Sequence, residues 1–89
     1  MNYHEDDEKF KELLNQEYEW PSEYVFKFII ERGHGEKITR LFNNSANITS
    51  KPSSGGKYES YTIRSIMSNA EEILAIYSKA STIPGIISL

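Results

Sequence analysis

Cysteine is absent from this 89-residue sequence, which excludes disulfides, thiolate metal sites and cysteine nucleophiles. Histidine occurs only as His4 and His34, and His34 has no second histidine or spaced carboxylate that would make it a candidate for metal binding or acid–base catalysis. No apolar run approaches the roughly 18 residues needed to span a membrane. The start of the chain is acidic where a signal peptide would be basic and then apolar. We therefore expect a small cytoplasmic protein that needs no cofactor.

Negative charge is concentrated at the start of the chain. Residues 1–20 contain seven acids and two bases, a net charge of −5, whereas residues 21–89 contain six acids and eight bases, a net charge of +2. No strong basic face is available for a nucleic-acid backbone. Four apolar side chains recur at helical spacing over residues 7–18, namely Phe10, Leu13, Leu14 and Tyr18. We expect an acidic N-terminal helical segment over residues 1–20 and one domain over residues 21–89.

The remaining chain alternates between strand and helix patterns. Period-two alternation predicts strands and apolar residues at helical spacing predict helices. The expected elements are a strand over 22–31, a helix over 36–44, strands over 46–53 and 58–67, a helix to about residue 80, and a strand over 86–89. Ser68 and Glu71 fit a capping box before the second of these helices. The order β-α-β-β-α-β predicts an α+β protein, a ferredoxin-like plait with a four-stranded antiparallel sheet and both helices on one face.

A doubly basic turn joins the two middle strands. The turn Ser53-Ser54-Gly55-Gly56 is flanked by lysines and a tyrosine, which indicates a β-hairpin. A strand follows it where a phosphate-binding loop requires a helix, so that motif is rejected. The tip is a candidate contact surface for an acidic partner, unless its lysines only keep a sheet edge soluble. Its residues are Lys51, Pro52, Ser53, Ser54, Gly55, Gly56, Lys57 and Tyr58.

A second candidate is the loop Arg32-Gly33-His34-Gly35 between the first strand and the first helix of the plait. Its glycines expose backbone N–H groups that could bind a small anion, or they only allow a positive φ in a connection. An acylphosphatase-like hydrolase is an alternative, with Arg32 as anion anchor and Asn47 positioning water. No serine has a recognisable base, and no catalytic or metal-binding set is found.

RNA binding is the other alternative, because RNA-recognition modules share this plait and place aromatic residues on their central strands. Here Tyr24, Phe26 and Phe28 share the face that should form the core, and basic residues are few. The first hypothesis is a non-enzymatic regulatory module that binds a small metabolite or a partner protein, as a homodimer that pairs sheet edges or open faces.

Three segments resemble domain-of-unknown-function family 493, small bacterial proteins of which some are labelled lipoate regulatory protein. They are residues 20–22 (Trp-Pro-Ser), the hairpin run Lys51 to Tyr58, and the closing run Ser81 to Leu89. The resemblance covers about residues 9–89. It implies a ferredoxin-like fold similar to ACT regulatory domains and a link to lipoate metabolism, and it implies no catalytic residue.

Overall fold

The computed structural model describes residues 5–89, with side chains from residue 7 onward, so His4 lies outside the described residues. In chain order the elements are α1 (Glu5–Glu17), β1 (Ser22–Glu31), α2 (Glu36–Thr39), β2 (Asn47–Pro52), β3 (Tyr58–Met67), α3 (Ala70–Ala80) and β4 (Ile87–Ser88). Within residues 5–89, no helix is both long enough and apolar enough to cross a membrane.

The four strands form one antiparallel sheet in the order β2-β3-β1-β4. Phe26 lies opposite Ile63, and Ile63 lies opposite Ile48, so three strands contribute to the same row of the sheet. After α1 the element order is β-α-β-β-α-β, and the two long central strands occupy the predicted residues. The ferredoxin-like fold is confirmed, and so is a helix preceding it.

The core lies between the sheet and the helices. Alternate residues of β1 and β3 point into it, because side chains on a strand alternate between faces. Ten hydrophobic residues are buried, and they come from α1, β1, α2, β3 and α3. They are Leu14, Phe26, Phe28, Ile30, Ile38, Ile63, Met67, Ala70, Ile73 and Ala80. Within residues 5–89, no helix covers the opposite face of the sheet, where Val25 and Ile66 are exposed.

Aromatic rings join α1 and α3 to the end of the sheet where β1 begins. The Tyr24 and Tyr77 hydroxyls are 3.1 Å apart, and the Phe10 ring lies 6.1 Å from the Tyr77 ring. Burial raises the pKa of Tyr77 well above its usual range, and the hydrogen bond with Tyr24 raises it further. Together with the buried Leu14, these contacts attach the acidic N-terminal helix to the domain.

The helix predicted over residues 36–44 is wrong in its length, because α2 ends at Thr39. The Arg40 N–H still bonds to the carbonyl four residues back, at 3.0 Å, but the N–H groups of Leu41 and Phe42 bond three residues back. The Asn43 side chain then accepts hydrogen bonds from the backbone N–H and the hydroxyl of Ser45. Such a local side-chain turn competes with helix continuation. The turn closes without a left-handed residue, since no described non-glycine residue has a positive φ.

The predicted capping box at Ser68 and Glu71 is displaced by one residue. Asn69 is the N-cap of α3, and its side-chain oxygen accepts a 2.8 Å hydrogen bond from the Glu72 N–H. The Glu72 carboxylate accepts a 2.7 Å bond from the Ser68 N–H. Asparagine caps a helix as well as serine does. A capping side chain and an acidic side chain that bonds back to the backbone are therefore both present, but the capping residue is Asn69 and not Ser68.

Replacing the Asn69 cap with alanine should lower the free energy of unfolding by about 1 kcal/mol, the usual cost of losing a side-chain N-cap. For a domain of this size that corresponds to roughly 4–8 °C in melting temperature. Ser68→Ala is the matched control, because Ser68 contributes only its backbone N–H to the cap. Equal losses in thermal unfolding of both variants would contradict the assignment of Asn69.

Candidate functional site

The loop Arg32–Gly35 leaves β1 and folds back at once toward α2. The Arg32 N–H donates a 2.9 Å hydrogen bond to the carbonyl of Lys57, which continues the β1–β3 ladder one residue beyond both strands. The His34 N–H bonds to the Glu31 carbonyl at 3.1 Å, and Gly33 between them has φ +91°. That positive φ explains the first glycine of the loop.

The hairpin tip is held by bonds within its own turn. The Ser53 N–H donates to the Tyr58 carbonyl at 2.8 Å, the Gly56 N–H donates to the Ser53 carbonyl at 2.9 Å, and Gly56 has φ +74°. The Ser53 hydroxyl accepts a further bond from the Tyr58 N–H at 3.2 Å. Gly56 and Ser53 therefore fix the backbone of the tip, whereas the lysine side chains on both sides of it remain exposed.

The two candidate segments lie side by side and form one surface, which we call the loop–hairpin surface (Arg32–Gly35 and Lys51–Tyr58). Besides the backbone bond between Arg32 and Lys57, the Arg32 guanidinium lies 3.6 Å from the position that a Cβ on Gly56 would occupy. The surface carries three cations and no acidic residue. Among the described residues, none of these cations pairs with a carboxylate within 4.0 Å. The Lys57 ammonium lies 5.6 Å from the ring centroid of Tyr58.

Gly35, the last residue of the loop, faces the interior and not the surface. It is buried against the Tyr61 side chain, whose hydroxyl donates a 3.2 Å hydrogen bond to the Glu59 carboxylate. A Cβ on Gly35 would overlap the Tyr61 hydroxyl and the end of its ring. Burial raises the pKa of Tyr61, and the negative charge of Glu59 raises it further. Glycine at position 35 is thus explained by packing, without an anion.

The residues suggested for an acylphosphatase-like site lie at opposite ends of the sheet. Asn47 lies in the same row as Arg64 and Val25, whereas Arg32 follows the last residue of β1. Seven residues of extended strand separate Val25 from Arg32, about 23 Å. The predicted pairing of Arg32 with Asn47 is therefore wrong, because the two side chains cannot hold one phosphate.

The structure also shows where the residues suggested for RNA binding, metal binding and dimer formation lie. Phe26 and Phe28 are fully buried, so their rings cannot stack on nucleobases. His34 is exposed, and within residues 5–89 no three histidine or acidic side chains are grouped to hold a metal ion. The open sheet face exposes Val25, Ile66 and Ile87, with Ile66 exposed to 64%. A homodimer formed through this face stays a prediction.

Sequence reasoning missed a groove between α3 and the turn after α2. It has a volume of about 350 Å³ and is lined by residues of both segments and of the end of β3. One signal was available, since Ser65 stands at an inward position of β3 between Ile63 and Met67 and interrupts an apolar face. The groove itself is lined by residues from three separate segments, which no pattern in the sequence brings together.

The element order and strand order define a small ferredoxin-like α+β domain. The chain belongs to the family described as protein of unknown function DUF493, whose model matches residues 15–89. Its structure is similar to the solution structure of protein HP0495 from H. pylori, with a TM-score of 0.71 and 18% identity over 81% of this chain and 85% of that chain. At that identity the likeness shows the fold alone. No curated protein matches the chain.

Proposed function

We propose that this protein is a small non-enzymatic module that regulates a partner protein by binding an acidic segment of it at the loop–hairpin surface. One observation carries the proposal: the fold joins two separate segments, whose own charged side chains are Arg32, Lys51 and Lys57, into a single surface. Backbone hydrogen bonds fix both segments, so the cations are presented from an ordered surface.

The charge distribution supports an acidic partner over a neutral one. The loop–hairpin surface carries +3 from its three cations, although the whole chain carries −3. Exposed charges interact weakly one by one and are screened beyond about 8–10 Å at physiological salt. A cluster of one sign acts mainly by steering association with an oppositely charged partner, so binding should weaken as salt is added.

A role in lipoate metabolism and a cytoplasmic location belong to the proposal, and their support is the family resemblance and the lack of cysteine. The proposal for the loop–hairpin surface does not depend on whether the protein acts in lipoate metabolism. An enzyme that makes or attaches lipoate is the partner class that the resemblance favours.

An NMR titration of the protein with a short glutamate-rich peptide tests the surface. We expect saturable shifts at residues 32–35 and 51–58, and at least about fivefold weaker binding for Arg32→Ala/Lys51→Ala/Lys57→Ala, since each exposed charge contributes up to about 1 kcal/mol. Raising the salt concentration should reduce binding of the original protein.

The control is Lys9→Ala/Lys27→Ala/Arg64→Ala, which removes the same charge from exposed positions away from the surface. Equal weakening in both triple variants would show an effect of net charge only and would overturn the proposed surface. Affinity purification with the same three proteins tests the pathway separately. If partners lost only by the loop–hairpin variant include no lipoate enzyme, the pathway assignment fails and the contact surface stands.

A further inference from the structure

The strand β2 forms one edge of the sheet, and its outer side is open. The strand order places β3 on one side of β2 and no strand on the other. Five of its six residues are exposed, and Ile48 is half-buried. Within residues 5–89, the backbone groups of β2 bond to no element other than β3. The outer side of β2 is therefore accessible to another extended chain.

The register shows which backbone groups of β2 face outward. The Ser53 N–H, one residue beyond the strand, bonds to the Tyr58 carbonyl of β3 at 2.8 Å. Bonded and non-bonded pairs alternate along an antiparallel ladder, so the odd-numbered residues of β2 bond to β3. The N–H and C=O groups of Ile48 and Ser50 consequently point to the open side, together with the carbonyl of Pro52.

The open edge of β2 runs directly into the loop–hairpin surface, because Lys51 belongs to both. Lys51 lies opposite Ser60 on the face of the sheet that no helix within residues 5–89 covers. It is exposed, and no carboxylate of the described residues lies within 4.0 Å of it. A lysine on an edge strand discourages pairing with most strands. An acidic side chain directly opposite the lysine turns that repulsion into a favourable cross-strand pair.

The other edge of the sheet is less suited to an acidic strand. The strand β4 has only two residues, and residues 86–89 carry no charge. On β2, Pro52 cannot donate to a ladder, but it is the last residue of the strand. An added strand therefore loses one hydrogen bond at its end and keeps those to Ile48 and Ser50.

We propose that the acidic segment of the partner binds as a fifth strand, antiparallel to β2. This inference rests on the proposed function and adds how the segment is held. Backbone bonds to Ile48 and Ser50 supply affinity, and side chains at alternate positions supply specificity. One acidic residue lies opposite Lys51, and an apolar residue opposite Ile48 extends the inward row that begins at Ile63. Acidic residues that precede them reach past Pro52 to the hairpin tip.

The test compares four versions of one capped peptide, Glu-Glu-Thr-Glu-Val-Thr-Val-Thr, by NMR titration and amide hydrogen exchange. The third glutamate is placed opposite Lys51 and the valines opposite Ser50 and Ile48. The unmodified peptide should slow exchange of the Ile48 and Ser50 amides. Methylating the backbone nitrogens of both valines removes the N–H groups directed at β2. Binding should weaken at least about fivefold, since each hydrogen bond contributes roughly twofold to tenfold.

The matched control peptide is methylated at the residue before each valine, whose N–H points away from β2, and it should bind like the unmodified peptide. Equal binding of the two methylated peptides overturns the added strand and leaves the acidic contact intact. Equal binding of a fourth peptide, with glutamine in place of glutamate, overturns the proposed function and the pairing with Lys51. Absence of binding overturns both.

Proline variants of the protein locate the edge. Ser50→Pro removes an outward N–H that the β2–β3 ladder does not use, a change that edge strands tolerate, and should weaken binding at least about fivefold. Ser88→Pro is the control, because it removes an outward N–H from the other edge. Normal binding by Ser50→Pro, or equal weakening in both variants, overturns the proposal.

Melting temperatures establish that both proline variants are folded, and the methylated peptides decide the question if Ser50→Pro is not. A second copy of the chain is the competing occupant of the edge. Slow exchange of the Ile48 and Ser50 amides in the free protein, lost on dilution, would show that β2 pairs with a second copy. That result would overturn the acidic strand.

Discussion

Phe26→Ala is expected to lower the free energy of unfolding by about 3–5 kcal/mol, the range for removing a buried aromatic ring. Phe26 is fully buried in the middle of β1. Its ring centroid lies 4.8 Å from that of Tyr24, 5.1 Å from that of Phe42 and 5.3 Å from that of Tyr77. The ring thus joins the sheet to α3 and to the turn after α2, and its loss leaves a cavity that rigid strands cannot close.

Such a loss is large for this protein, since a chain of 89 residues is stable by roughly 4–13 kcal/mol at typical values per residue. Urea unfolding at 25 °C, followed by circular dichroism, measures it. Ile66→Ala is the control, because Ile66 is 64% exposed on the open face of the neighbouring strand and should change stability by less than about 0.5 kcal/mol. Comparable losses in the two variants would mean that Phe26 does not form the centre of the core.

The strands could be predicted because their pattern is local. In β1, Tyr24, Phe26, Phe28 and Ile30 alternate with Val25, Lys27, Ile29 and Glu31, and a period of two reports directly which side faces the core. The same reasoning located β3, and short connections then fixed the order of the sheet. For β4 the pattern gave residues 86–89, while the ladder covers Ile87–Ser88.

Helix ends were predicted less well because they depend on competing hydrogen bonds. Ile38, Leu41 and Phe42 have helical spacing, yet Leu41 and Phe42 reach the core from a tighter turn that the Asn43 side chain then closes. At α3, Ser68 and Asn69 are both good caps, and spacing alone did not choose between them. Only the three-dimensional contacts decide these cases.

For the candidate sites, too, the local segments could be predicted from the sequence but their three-dimensional arrangement could not. The loop and the hairpin were each visible as glycine-rich, basic segments, but their union depends on the bond from Arg32 to Lys57 across two strands. The groove between α3 and the turn after α2 was not predicted, because its lining residues come from three separate segments that only the fold brings together. Its only local sign was Ser65 on an apolar strand face.

Gly35→Ala should lower the free energy of unfolding by about 1–3 kcal/mol, the usual cost of forcing extra volume into a packed site. At φ −61° and ψ −25° the backbone of Gly35 suits alanine, so the cost is steric. The added Cβ would overlap the Tyr61 hydroxyl and the ring carbon that bears it. Tyr61 must move to relieve the overlap, which disrupts its hydrogen bond to Glu59. A fall in melting temperature of roughly 5–20 °C follows for a domain of this size.

A double-mutant cycle with Tyr61 establishes the mechanism. On a Tyr61→Ala background, Gly35→Ala should cost less than about 0.5 kcal/mol, because residues in contact are coupled and the obstructing ring is gone. Tyr61→Phe should give little relief, since the ring carbon would still overlap the new Cβ. Gly55→Ala is the control, as a Cβ there would meet nothing within 4 Å. If Gly35→Ala costs the same with and without the Tyr61 side chain, then packing against Tyr61 is not the reason for glycine at position 35.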